Sequence, residues 1–304
     1  MSYRLSYLQR LFVAAFITVL ILLSWKANGQ QKLQVVEKTI EKEIPYNPKE
    51  TISIVAEKAE IKIKGWEKDY IKFSLKLIAR HENKDVATKE LQYMKYAITK
   101  DENIIEFRNG FDFPPELKSV KSSLKIVYEI QVPYIALLSI DGKYSDTELI
   151  DLSNKIDGTF QFGSITLSNI KGRVNLNSSF TDINGYGIDA LFYCRSNKAD
   201  IILENLRGSY HFTCTFGRMD ISPENIIKDL TINASRTDIN LSINDFDSYS
   251  YTLSAAYASI EIDDENYTKQ IQLNGTTQSF KSKRKPNAPL IKIITTYSSI
   301  HLNK

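Results

Sequence analysis

With 304 residues, of which 42% are hydrophobic and 25% charged, the chain has a globular composition and room for one large β domain or two ordinary domains. Its 12 glycines and 8 prolines are too few for a collagen-like or low-complexity protein. The net charge of +3 comes from Arg4, Arg10 and Lys26, because the rest of the chain carries 36 basic and 36 acidic side chains. Such a balanced chain lacks the basic field that binds nucleic acid, so no nucleic-acid partner is expected.

The first 29 residues are organised like a secretory signal peptide. Arg4 and Arg10 form a basic start, residues 11–23 are a largely apolar run of 13, and residues 27–29 offer small residues for cleavage. The run is shorter than the roughly 20 residues of a spanning helix, which favours cleavage over an uncleaved membrane anchor. We therefore predict export to the periplasm, the outer-membrane surface or the medium, with no spanning segment in the mature chain.

Residues 30–135 are expected to form a β-rich N-terminal part that contains a first repeat unit and one short helix. Apolar alternation predicts strands, whereas residues 83–96 show a helical stripe with Asn83 or Asp85 as a plausible N-cap. A hairpin is predicted over residues 98–108. The predicted strands lie at residues 51–66, 70–79 and 124–132.

A repeat organises residues 136–304. Its motif is an aromatic or basic residue, a small residue, Asp or Ser, an aliphatic residue, any residue and a second aliphatic residue. We call the first aliphatic position the anchor. Successive anchors are 18 residues apart, then 20 and 21, before a last copy near the C-terminus: Thr147, Ile165, Ile183, Ile201, Met219, Ile239, Ile260 and Ile300. A fixed period of this size is typical of a fold whose units bury their apolar faces against each other.

The positions of the apolar residues within each unit predict the architecture. They recur nine and seven residues before the anchor, at the anchor, and two and five residues after it, which gives two short strands per unit. We predict an all-β fold, a single-stranded, right-handed β-helix with coils of 18–21 residues, and one continuous domain over residues 30–304. A left-handed helix expects strict hexapeptides, which these offsets do not fit.

The two cysteines of the chain both fall at inward offsets of this repeat. Cys194 and Cys214 are two steps apart along the strand and one coil apart across it. Combining about 3.3 Å per residue with about 4.8 Å between strands puts their Cα atoms roughly 8 Å apart. Because a disulfide needs a separation below about 7 Å, we expect two free, buried thiols.

Several of these features together resemble a known group of proteins. They are the second-strand motif, the strand ending in Val132-Pro133, the stretch Ile61–Trp66 and the signal peptide. They are similar to bacterial β-strand-repeat domains of unknown function described as candidate adhesins, over most of residues 36–304. The resemblance implies an irregular β-helix and an adhesin-like role, and it supplies no catalytic residues. The chain differs from the family in often having Ser, Thr or Ala where the family has a turn glycine.

The most unusual positions of the repeat lie three residues before each anchor, and we call them the aromatic column. Its rings are candidate ligand-binding residues: Tyr144, Phe162, Phe180, Phe216, Tyr257 and Tyr297. Lys198 and Arg236 occupy the same position in two units and are expected to lie flat on neighbouring rings. The column is either a stabilising ladder of stacked side chains or an exposed platform for sugar rings or a partner protein.

The polar positions of the repeat favour no metal, cofactor or catalytic centre. Asp146, Asp182, Asp200 and Asp238 precede their anchors, and capping of turns is favoured over Ca²⁺ binding because the glycine-rich Ca²⁺ repeat is absent. The three histidines have no zinc spacing, and no phosphate loop, dinucleotide fingerprint or nucleophile elbow is present.

The predicted function is therefore a non-enzymatic structural or adhesin-like role in the cell envelope, without a cofactor. The protein would present an extended β face to a polysaccharide or an envelope protein. Two alternatives stay open. One is a β-helical polysaccharide lyase or hydrolase, which would need convergent charged groups on one face. The other is an envelope signalling accessory.

Overall fold

The protein is an all-β structure in which every described strand belongs to one 17-stranded sheet. The computed structural model describes residues 33–224, 227–282 and 286–304. The predicted signal peptide, residues 1–29, therefore lies outside the described residues. No helix in the described part of the chain is long and apolar enough to cross a membrane.

The N-terminal part contains seven strands and one short helix. In chain order they are β1 (Gln34–Pro45), β2 (Thr51–Glu57), β3 (Ala59–Trp66), β4 (Tyr70–His81), α1 (Lys84–Leu91), β5 (Met94–Asp101), β6 (Ile104–Phe111) and β7 (Ser123–Pro133).

The repeat region follows with longer strands that bend through the corners of the coils. They are β8 (Leu137–Ile150), β9 (Ser153–Ser168), β10 (Lys171–Ser222) and β11 (Asp229–Ser242). The C-terminal part has a 3-10 turn (Phe246–Ser248), β12 (Ser250–Ala256), β13 (Ile260–Ile262), α2 (Glu265–Thr268), β14 (Gln272–Asn274), β15 (Thr277–Lys281), β16 (Leu290–Thr296) and β17 (Ile300–Asn303).

Successive units of the repeat pair in parallel and in the predicted register. Thr147 of β8 lies beside Ile165 of β9, and Ile165 lies beside Ile183 of β10. Farther along, Met219 lies beside Ile239 of β11. The side chain of Ile183 is completely buried, as its place in the anchor series predicts. We use the word coil for each of these stacked units.

Residues 34–45 and 67–136 cover the first end of the stack. The first coil, β2 and β3, pairs in parallel with β8, with Ile61 beside Thr147, which confirms residues 51–66 as a unit of the repeat. Its other side is taken by β6 and β7, which also run parallel to it. Beyond β7 come the antiparallel strands β4 and β1.

The helix in this part is shorter than its apolar stripe predicts. It begins at Lys84, with the side chain of Asn83 accepting a hydrogen bond from the backbone N–H of Asp85 at 2.7 Å, and it ends at Leu91. Met94 already belongs to the β5–β6 hairpin, where it lies beside Phe111 and is buried. Pairing in the hairpin therefore takes precedence over the local helical pattern.

The C-terminal coil departs from chain order. The strand β16 lies between β11 and β12, so that Ile291 has Leu230 on one side and Tyr251 on the other. In the same way Ile300 of β17 lies between Ile239 and Ile260. The last coil of the sequence is thus inserted between the two coils that precede it. Antiparallel pairing of β15 with β12 covers that end of the stack.

Both cysteines lie inside the coil stack. Cys194 and Cys214 are buried and form no disulfide, in agreement with the offsets predicted from the repeat. Burial raises the pKa of the Cys214 thiol to about 11, in spite of a hydrogen bond with Ser196. Burial also raises the pKa of Cys194 well above its usual value. Both thiols therefore remain protonated and unreactive at neutral pH.

Candidate functional site: the aromatic column

The parallel register brings all members of the aromatic column together along one corner of the coil stack. Because the C-terminal coil is inserted, their order in space differs from their order in the chain. That spatial order is Tyr144, Phe162, Phe180, Lys198, Phe216, Arg236, Tyr297 and Tyr257. The spacing between neighbouring coils is about 4.8 Å, so these eight levels extend over roughly 34 Å.

Neighbouring rings of the column are stacked face to face. The ring centroids of Tyr144 and Phe162 are 4.8 Å apart with planes inclined by 5°, and those of Phe162 and Phe180 are 4.9 Å apart. At the other end Tyr297 and Tyr257 stack at 5.1 Å. Stacking in this way turns the ring edges, rather than the ring faces, toward solvent.

The two basic residues of the column lie over rings, as the sequence predicts. The Nζ atom of Lys198 is 4.8 Å from the centroid of the Phe180 ring. The guanidinium of Arg236 lies between two rings, 5.3 Å from the centroid of Phe216 and 5.1 Å from that of Tyr297. Each contact is a cation–π interaction, which continues the stack through levels without an aromatic ring.

The column is a surface feature and not part of the core. Its ring residues have exposed fractions between 40%, at Phe162, and 60%, at Tyr257. The inward residues of the same coils, such as Ile165 and Ile183, are completely buried. Large apolar side chains exposed in one continuous line are uncommon on a soluble monomer and mark interaction surfaces.

The backbone at every level of the column has the left-handed conformation. The φ angles of the eight residues lie between 51° at Arg236 and 61° at Phe162 and Tyr297. This region costs an ordinary side chain roughly 1–2 kcal/mol, and glycine, asparagine and aspartate are the residues that adopt it routinely. The chain therefore has aromatic and basic side chains where local preference would select other residues.

A second corner of the same coils shows what local preference selects. It lies four residues after the anchors Thr147, Ile165, Ile183 and Ile201, where φ is also positive, and the residues there are Asp151, Asn169, Gly187 and Asn205. The amide of Asn169 donates a hydrogen bond to Asp151 at 3.0 Å, one coil away. The backbone geometry thus does not require rings, and the two corners differ in the side chains that they expose.

Two further residues extend the column at its first end. Lys58 lies three residues before Ile61, has a φ of 50°, and donates its N–H to the carbonyl of Lys143 at 2.8 Å. Its Nζ atom lies 5.6 Å from the centroid of the Phe111 ring, which stacks on Phe113. The offset from Ile61 was the signal for Lys58, whereas Phe111 comes from another strand and has no signal in the repeat.

The carboxylates beside the column accept hydrogen bonds from backbone N–H or hydroxyl groups of the next coil. Asp182 accepts a hydrogen bond from the N–H of Asp200 at 2.9 Å, and Asp200 accepts one from the N–H of Arg218 at 3.0 Å. Asp146 accepts a hydrogen bond from the hydroxyl of Ser164 at 2.7 Å. These carboxylates stabilise the stacking of coils and do not converge on one point. Within the described residues, no three His, Cys, Asp or Glu side chains are placed to hold a metal ion.

Comparisons with known proteins found one family model and several solved structures of low identity. The family model described as Toastrack DUF4097 matches residues 35–296, which confirms the resemblance to β-strand-repeat domains of unknown function. A candidate adhesin of Parabacteroides distasonis is 9% identical, with a TM-score of 0.48, over 88% of this chain and 97% of that one. A candidate adhesin of Parabacteroides merdae is 10% identical, with a TM-score of 0.42, over 91% and 98%. A candidate lipid-binding protein of Parabacteroides distasonis is 13% identical, with a TM-score of 0.43, over 91% and 98%. None of the curated proteins matches the chain.

Proposed function

The chain belongs to the Toastrack DUF4097 family, and we propose that this protein is an exported, non-enzymatic component of the cell envelope with an adhesin-like role. In this proposal the aromatic column is its binding surface, and the ligand is an envelope polysaccharide or an envelope protein that lies along the column. Residues 30–304 act as one continuous domain, a single-stranded, right-handed β-helix, after removal of the signal peptide.

The observation that carries the proposal is the left-handed backbone under exposed rings. Phe162, Phe180 and Phe216 have φ angles between 54° and 61° and are 40–44% exposed. Stacking stabilises the fold by about 0.5–1.5 kcal/mol per ring pair. This gain only offsets the cost of the left-handed backbone conformation. Stability alone gives little reason to keep rings at this corner, whereas a binding role gives a direct one.

The shape of the column favours an extended ligand. Its stacked rings offer a narrow ridge of edges about 34 Å long, and a ridge makes the same contact at each step of about 4.8 Å. Ring edges carry partial positive charge, and Lys58, Lys198 and Arg236 add cationic groups at separate levels. A polymer or an extended segment of a protein can contact several levels at once, which multiplies weak contacts.

The contacts of the acidic residues support binding without turnover. A glycosidase needs two carboxyl groups about 5–10 Å apart across one substrate bond. Here Asp182 and Asp200 each accept a hydrogen bond from the backbone N–H of the next coil. These hydrogen bonds give the two carboxylates a structural role in the stack of coils.

A retention experiment with a triple variant tests the proposal. Phe162, Phe180 and Phe216 are replaced together by Ala, and retention of the purified protein on immobilised envelope and capsular polysaccharides and on envelope fragments is measured. We expect retention to fall by at least about tenfold, because three of the six exposed rings are lost. The matched control replaces Tyr186 and Tyr193 by Ala; these residues are 50% and 37% exposed and lie outside the column. We expect this control protein to be retained as strongly as the wild-type protein.

Two outcomes would contradict the proposal. Equal retention of the triple variant and the wild-type protein would remove the column from the binding surface. Shortening of the polysaccharide that is lost on mutation of a single column-side Asp, such as Asp182→Asn, would make the protein a lyase or hydrolase instead.

A further inference from the structure

A concave groove lies at the second left-handed corner, away from the aromatic column. It has a volume of about 610 Å³, and its lining includes Trp66, Glu67, Tyr134, Asp151, Asn169 and Lys171. This volume falls within the range of about 300–1,000 Å³ that is usual for small-molecule sites. The repeat alone predicts little concavity, so the groove needs a structural cause.

The groove exists because the chain leaves the stack after the first coil. From β8 to β10 each coil passes directly into the next, as at Asp151-Leu152-Ser153 between β8 and β9. After Trp66, in contrast, the chain turns away into β4 and returns only at Tyr134. The N–H of Tyr134 donates to the carbonyl of Trp66 at 2.9 Å, and the N–H of Ser153 donates to the carbonyl of Tyr134 at 2.7 Å. Because the chain departs and returns at this corner, a recess remains there, and this recess is the groove.

One aromatic wall of the groove is held rigidly in place. The Nε1–H of Trp66 donates to the carbonyl of Tyr70 at 2.9 Å, and the two rings meet edge to face at 4.7 Å. The Nζ atom of Lys68 lies 4.8 Å from the centroid of the indole ring. These contacts fix the orientation of Trp66 before any ligand binds, which lowers the entropic cost of binding.

The second aromatic wall is formed by Tyr134. Its side chain is 46% exposed, and it takes part in none of the ring–ring or cation–π contacts found among the described residues. This distinguishes it from the rings of the column, whose faces cover each other. A pyranose sugar binds proteins by placing its apolar face on an exposed aromatic ring.

The polar groups of the groove complement the hydroxyls of a sugar. Asp151 accepts a hydrogen bond from the amide of Asn169 at 3.0 Å through one oxygen, which orients both side chains. Glu67 and Lys171 line the same space. Carboxylates accept hydrogen bonds from hydroxyl groups, and the ammonium group donates them. A sugar hydroxyl in the groove can therefore both donate and accept a hydrogen bond. The two carboxylates disfavour a phosphate, and the charged lining disfavours an acyl chain.

We propose that this groove is a binding site for a single pyranose unit of a glycan, with Tyr134 as the stacking platform and Asp151 and Asn169 as hydroxyl ligands. The site is independent of the aromatic column, which lies at a different corner of the coils. A glycan could therefore be held at one sugar by the groove whether or not the column binds its length.

The experiment uses the fluorescence of Trp66 as a reporter. The chain has two tryptophans, and Trp25 lies in the predicted signal peptide, so the emission of the processed protein reports on Trp66 alone. A Trp25→Phe background gives the same reporter in any unprocessed chain. This protein is titrated with the methyl glycosides of glucose, galactose, mannose and N-acetylglucosamine. We expect at least one of them to change the emission in a saturable way. Tyr134→Ala in the same background should raise the Kd by about tenfold or more.

Control variants show whether the signal comes from the groove. Tyr193→Ala removes a similarly exposed tyrosine outside the groove and should leave the Kd unchanged. Asp151→Asn keeps a residue that accepts the left-handed backbone and should weaken binding as well, which gives a second test if Tyr134→Ala fails to fold. The absence of saturable binding by all four glycosides, or equal Kd values for wild type and both groove variants, would overturn the proposal. The triple variant of the column should bind the glycoside normally, so that either proposal can fail without the other.

Discussion

At the residue scale, the two left-handed corners of the coil form an internal comparison. Both require positive φ, yet one is occupied by Asp151, Asn169, Gly187 and Asn205 and the other by rings and cations. The first set follows conformational preference and the second opposes it. The residues of the column therefore gain little from their backbone conformation, and we expect their contribution to stability to be small.

This comparison predicts that Phe180→Asn is tolerated. The substitution loses the stack with Phe162 and the contact with Lys198, but asparagine adopts the left-handed backbone more easily. These effects oppose each other, so we expect the free energy of unfolding to change by no more than about 1 kcal/mol. Denaturant unfolding followed by far-UV circular dichroism measures the difference.

The reverse substitution at the other corner is the matched control. Asn169→Phe places a ring in a left-handed position and removes the hydrogen bond to Asp151. We expect a loss of roughly 1–2 kcal/mol in the free energy of unfolding. Equal losses for Phe180→Asn and Asn169→Phe would mean that the rings of the column serve stability, which would weaken the case for binding.

At the element scale, the sequence predicts the coils well because their signal is local. Two strands per unit, inward residues such as Ile183 and the first coil around Ile61 all follow from apolar offsets of a few residues. The helix α1 is placed correctly, but its end depends on the hairpin that follows it. Local periodicity therefore predicts the strands of each coil, but it does not predict how the coils are connected.

The connections depend on pairing between distant segments, which periodicity does not encode. The insertion of β16 and β17 between neighbouring coils is one case, although the spacing of 21 residues before Ile260 was a signal of a longer step. The groove is another case, because its walls come from the exit at Trp66 and the return at Tyr134. The positions of the column were predictable, whereas its exposure and the groove were not.

The close contact between the first coil and β8 can be tested with one methyl group. A Cβ atom at Gly65 would lie 1.9 Å from the carbonyl oxygen of Asp151, so the backbones must separate to accept it. We expect Gly65→Ala to lower the free energy of unfolding by about 1–3 kcal/mol. Thermal unfolding measures this, with Gly110→Ala as the control, since a Cβ atom there has no neighbour within 4 Å. Identical melting temperatures for the two variants would show that the first coil does not rest on β8 as described.

At the scale of the whole molecule, the stack of coils is a support for regularly spaced side chains. Parallel pairing places equivalent positions of neighbouring coils about 4.8 Å apart. Side chains of one type at the same position in each coil therefore form a continuous surface. The ends of the stack are covered by antiparallel strands, β4 and β1 at one end and β15 at the other. The corners and faces of the stack between these ends remain available for interactions.

The most direct test of the column as a binding surface is to map which tyrosines a natural ligand protects. Hydroxyl-radical footprinting of the protein, free and bound to envelope fragments of the source organism, measures the oxidation of Tyr144, Tyr257 and Tyr297 against that of Tyr193. All four are exposed in the free protein, and only the first three belong to the column. We predict that binding lowers oxidation of the three column tyrosines together and leaves Tyr193 unchanged. Unchanged oxidation of the column tyrosines in a bound sample would contradict the assignment of the column as the binding surface.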